Sequence, residues 1–77
     1  MDAAENYFKG VRDAINKATT VREIIAIYVS DIDSHLQKEY ARQLMKNMNF
    51  HYKGKLEPVR AHFIKQVNTD EHNYYDH

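Results

Sequence analysis

A single Pro and two Gly are all that interrupt these 77 residues. Pro and Gly cost a helix interior about 3 and 1 kcal/mol against Ala, so a chain nearly free of them has few places to stop being helical. There is no internal repeat and no low-complexity tract. The length fits one domain, which hides about 60–65% of the surface its unfolded chain exposes. Cores that small often need a disulfide, a metal or a second copy of the chain. With no Cys, disulfides, thiolate metal sites and Cys nucleophiles are all excluded.

Apolar spacing divides the chain into helices. Ala4, Phe8, Val11, Ile15 and Ala18 alternate steps of four and three, one narrow stripe on a first helix. Asp2 with Glu5 reads as its capping box. Gly10 falls inside this helix and weakens it. Thr20 with Glu23 forms a second capping box, opening a helix over residues 21–29 that is apolar almost all round and belongs at the centre. The run "SDIDSH" then predicts a bend, because Ser and Asp compete for backbone hydrogen bonds, with Ser30 capping the next helix.

That third helix is expected from about Asp31 to Asn49. Ile32, Leu36, Tyr40, Ala41, Leu44, Met45 and Met48 cover one broad side. His35, Lys38, Arg42, Lys46 and Asn49 gather on the other, within about 80° of arc. A short extended turn is expected at residues 50–56, ahead of a last helix opened by Pro58. Val59, Phe63 and Val67 give that helix its stripe, with Ile64 beside it. The fold class is therefore all-α, a small compact bundle of three to four helices. Residues 1–68 form the helical domain, and residues 69–77 an acidic tail expected to fray, with Tyr74 and Tyr75 available to dock.

Charge is balanced overall, 11 basic against 11 acidic residues, but unevenly spread. Residues 38–65 hold seven Lys or Arg against two acids, between two acidic ends. A basic middle of this kind points to a polyanion or to a solvated helix face. Lys38, Arg42 and Lys46 make a ridge about 12 Å long, a spacing at which cations can follow phosphates. Lys53 and Lys55 continue it within "KNMNFHYKGKLEPVR". Phe50, His51 and Tyr52 beside Lys53 offer rings for stacking on bases. Of these, Phe50 is expected in the core and Tyr52 at the surface.

With their break at residues 30–33, helices two and three resemble a helix-turn-helix. Residues 20–56 as a whole loosely resemble a winged-helix DNA-binding domain, with "FHYKGK" as a small wing. Aligning Ala26 with the small residue usual in the first helix puts Ser30 where the turn commonly has Gly. The same alignment puts Asp31 where an apolar residue is usual. The resemblance implies a DNA-binding regulator or accessory factor. In it Lys38, Arg42, Lys46, Lys53 and Lys55 meet phosphates, His35 and Asn49 reach base edges, and Tyr52 stacks.

The competing expectation is an adaptor or inhibitor that docks an apolar helical face on a partner protein or on itself as a homodimer. Tyr7, Tyr28, Tyr40, Tyr52, Met45 and Met48 are types favoured at interfaces. Five His residues raise the question of a metal. Asp31, His35 and Glu39 share a helix face, yet no HExxH occurs, and "DIDSH" lacks the Gly and closing Glu of a calcium loop. No phosphate loop or nucleophile elbow is present either. No cofactor, metal or enzymatic activity is expected. The longest purely apolar run, Ile24 to Val29, is far below the ~20 residues of a bilayer span, and the opening "MDAAENYFKG" has no signal-peptide core. These features predict a cytoplasmic protein without a membrane partner.

Overall fold

A computed structural model describes residues 2–76 and contains four helices: α1 (Ala3–Lys17), α2 (Val21–Tyr28), α3 (Ser34–Tyr52) and α4 (Leu56–Tyr75). The all-α bundle expected from the breaker count is present. None of the described helices is long and apolar enough to cross a membrane. Both capping boxes start their helices as expected. Asp2 accepts from the Glu5 N–H at 2.8 Å, and Thr20 Oγ1 accepts from the Glu23 N–H at 3.0 Å.

α1 and α4 pack antiparallel, and α2 lies against both. Their stripes build the core: Ile15 and Ala18 from the α1 end, Ile24, Ile25 and Val29 from α2, and Val59, Phe63 and Val67 from α4. Polar contacts fix the α1–α4 seam. Arg12 pairs with Glu71 at 2.6 Å and donates to Asn68, and the Tyr75 hydroxyl donates to Asp2 at 2.9 Å. At the other end, Arg60 donates to the carbonyls of Ile15 and Asn16, at 2.6 and 3.0 Å. Those carbonyls lie in the last turn of α1, where no intrahelical donor remains, so Arg60 serves as a cap supplied from 44 residues away.

Two expectations are corrected here. The bend at residues 30–33 exists, but α3 begins later, capped by Asp33 accepting from the His35 N–H at 2.9 Å. Ser30 instead turns back to donate to the Ile27 carbonyl at 2.8 Å, closing α2. The Gln37 amide donates to the carbonyls of Ser30 and Ile32, which completes the turn. Second, there is no extended wing at residues 50–56. The helix continues through Tyr52 and stops at Lys53 (φ 55°) and Gly54 (φ 69°), both left-handed. At this left-handed position Gly avoids backbone strain, and a Cβ on Gly54 would sit 2.9 Å from Asn49 Oδ1, so the Asn49 side chain would have to shift. Pro58 consequently lies third in α4 rather than first.

The acidic segment from residue 69 is helical as far as Tyr75, the continuation of α4. Asp70 accepts from the Tyr28 hydroxyl at 2.8 Å and from Gln66 at 3.1 Å, while Glu71 holds Arg12. Burial first, and then the neighbouring Asp70 carboxylate, pushes the Tyr28 pKa up. His77 lies outside the described residues.

Gly10 has no such duty. It is exposed in the middle of α1, and a Cβ there would meet nothing within 4 Å. Gly10→Ala is expected to add about 1 kcal/mol of stability. For a chain of this size that is a rise of about 4–8 °C in Tm, to be read by thermal circular dichroism.

Candidate functional site

α3 is the helix least enclosed by the others, and Met48 is its one fully buried side chain. Ala41, Leu44 and Met45 pack partly buried beside it, facing α2 and α4. Leu36 and Tyr40 were expected on this buried side but are 61% and 37% exposed. The α1–α4 pairing accounts for this, since α3 then packs mainly on α2 and less closely on α4. The buried side of α3 spans about a third of its circumference.

The basic flank occupies another third. His35, Lys38, Arg42, Lys46 and Asn49 are all exposed, and Lys53 and Lys55 follow, also exposed, in the tight turn. Beside this flank, α2 and α3 bound a groove of about 420 Å³. Ile25, Ala26, Ala41 and Met45 line it, together with Arg22, Lys38, Arg42 and Lys46. Arg22 is the member that sequence reasoning missed. Its spacing from Ile25 and Ala26, three and four residues, was the available signal, obscured by the nearly continuous apolar character of α2.

The cations differ in what they meet, although Lys17 on α1 and Lys65 on α4, like several on α3, make no ion pair among the described residues. Lys9, Arg12 and Arg60, on α1 and α4, pair with Asp13, Glu71 and Glu57 at 3.0, 2.6 and 3.1 Å. Arg60 is largely buried, so its charge belongs to the fold and not to the basic surface. On α3, Arg42 reaches Glu39 at 3.6 Å with both side chains more than half exposed, a pair worth little in water. Arg22, Lys38, Lys46, Lys53 and Lys55 make no ion pair among the described residues. Their positive charge faces solvent without internal compensation.

The aromatic run following Asn49 is the reverse of what was expected. Phe50 is 82% exposed, whereas Tyr52 is half-buried with its hydroxyl 3.1 Å from His62 Nδ1. Because α3 continues through this run, Phe50 is carried outward and Tyr52 inward, against α4. Tyr52 is thus a packing residue joined to His62, and Phe50 is the free ring. Burial, with His51 and Lys65 nearby, holds the His62 pKa below its ordinary value.

Asp31 is engaged by the Tyr7 hydroxyl, and this bond is the leading reason the Tyr7 pKa is pushed up to about 12. Asp31, His35 and Glu39 do not converge, and among the described residues no three His, Asp or Glu side chains come together to hold a metal. No family model matches the chain, and neither the curated proteins nor the solved structures contain a significant match.

Proposed function

We propose that this is a non-catalytic binding protein that takes a polyanion, with duplex DNA as the favoured partner, on the basic flank of α3. The clustering of exposed, uncompensated cations along α3 and its turn carries the reading. Four lysines along α3 and its turn, with Arg22 opposite, lie together without an acidic partner, whereas the other unpaired lysines, Lys17 and Lys65, belong to α1 and α4 and lie outside that row. In this reading Lys38, Arg42, Lys46, Lys53 and Lys55 contact phosphates. His35 and Asn49 lie on the same flank and are the candidates for base edges. Tyr52 has no part in it. The activity would be that of a regulator or accessory factor.

The test is an amide-resolved NMR titration with a short random duplex at two salt concentrations. Five phosphate contacts imply a slope of about −4.5 in log affinity against log salt, so affinity falls by two to three orders of magnitude between about 50 and 200 mM. Shifts clustered at residues 35–55 that fade with salt support the reading. If no shift appears at the lower concentration, duplex DNA is not a direct partner.

The floor of the groove favours a second reading. Phosphates have no use for Ile25, Ala26, Ala41 and Met45, whereas an acidic amphipathic helix of a partner protein would use both floor and rim. An adaptor or inhibitor working this way would bind with a much shallower salt dependence than a polyanion.

A further inference from the structure

The last third of α3 belongs neither to the core nor to the basic flank. Leu36, Gln43 and Phe50 recur at steps of seven, with Tyr40 and Asn47 beside them, and all five fall within about 80° of arc. Leu36 is 61% and Phe50 82% exposed, two large apolar side chains left in water at opposite ends of one helix. They are equally far from Gln43 in sequence. Around Leu36 lies a shallow hollow of about 340 Å³, lined by Ile32, Leu36, Glu39, Tyr40 and Gln43. A protruding ring and an apolar hollow therefore share one face, placed symmetrically about its midpoint.

We propose that this face is covered by a second copy of the chain, with the two α3 helices antiparallel and Gln43 on the two-fold axis. Self-complementarity is the requirement for a closed two-fold interface, in which each contact is made twice. In this register Phe50 of each copy lies opposite Leu36 of the other and enters its hollow. Gln43 meets Gln43. Charges agree with the same register: Glu39 of one copy comes within one residue of Lys46 of the other, on the same side of the interface, and the pair forms twice. In the single chain Glu39 has only its loose, exposed contact with Arg42, and Lys46 has no acidic partner among the described residues. The two-fold axis also keeps both basic flanks on one side of the pair. This inference does not depend on what those flanks bind.

One helix face per copy sits at the small end of specific interfaces, so dissociation at about 10–100 µM is expected. Sedimentation equilibrium above that range should give twice the 9.1 kDa chain mass. The chain has no Cys, so in Gln43→Cys any disulfide reports two copies meeting at that residue. Mild oxidation should convert Gln43→Cys to covalent dimer, while Lys9→Cys on exposed α1 stays largely monomeric. Phe50→Glu changes a side chain exposed in the monomer, so it should leave folding intact and weaken dimerisation at least tenfold. Glu39→Lys should weaken it too, with Lys46→Glu added restoring it. A chain that stays at 9.1 kDa in the millimolar range overturns the proposal. So does a dimer that Phe50→Glu leaves intact, or one that Gln43→Cys fails to trap faster than Lys9→Cys.

Discussion

Phe63→Ala is expected to bring the chain to the edge of unfolding at room temperature, while Phe50→Ala leaves it unchanged. Phe63 is 1% exposed and packs its ring 5.0 Å from that of Tyr28, in the same buried cluster as Ile24 and Val59. Truncating a buried Phe costs about 3–5 kcal/mol, because transfer energy is lost and the cavity closes only in part. A chain of this length has roughly 4–11 kcal/mol of stability in all. Phe50, in contrast, is mostly in water, where substitutions usually stay within about 0.5 kcal/mol. Urea unfolding at a concentration where the chain is monomeric checks both. A Phe50→Ala midpoint as low as that of Phe63→Ala would mean that α3 is not oriented as described.

Reversing Lys38, Arg42 and Lys46 together to Glu is expected to abolish duplex binding with the fold intact. Losing three phosphate contacts alone lowers the salt slope by about 2.7, and three new negative charges then repel the duplex. The helix itself has little to lose. These positions already carry like charges four residues apart, and three Glu side chains at the same spacing repel about as much. What changes is the exposed Arg42–Glu39 contact, which becomes a like-charge pair three residues apart, a loss of about 1 kcal/mol at most. Thermal melting and fluorescence anisotropy with labelled duplex separate the two effects. Unchanged affinity would place the binding surface elsewhere.

Local features were legible in the sequence because their physics is local. Asp2 and Thr20 each sit three residues from the Glu whose backbone N–H they accept, and Val59, Phe63 and Val67 repeat along one face of a single helix. What failed to show was tertiary. Leu36 and Phe50 have the chemistry of core residues, and only the pairing of α1 with α4 decides that nothing in the chain covers them. Arg60 counts towards the basic middle, yet its guanidinium is committed to the end of α1. Asp70 and Glu71 read as solvated tail acids, but they find Tyr28 and Arg12 through contacts 42 and 59 residues apart in sequence. The candidate site shows the same division. Lys38, Arg42 and Lys46 follow from helical spacing, whereas Arg22 joins them only because α2 lies alongside.

The seam between α1 and α4 has a topological consequence. Tyr75 bonds to Asp2, so the chain nearly closes on itself, a ring of four helices with its opening at that seam. Which peptide bond is left open is then a detail of order rather than of architecture. Cut at the exposed turn of residues 53–55 and joined through a short linker across the seam, the same helices could meet in the same arrangement. α4 and α1 would become neighbours in sequence, and the longest loop the chain now has to close would become one of its shortest.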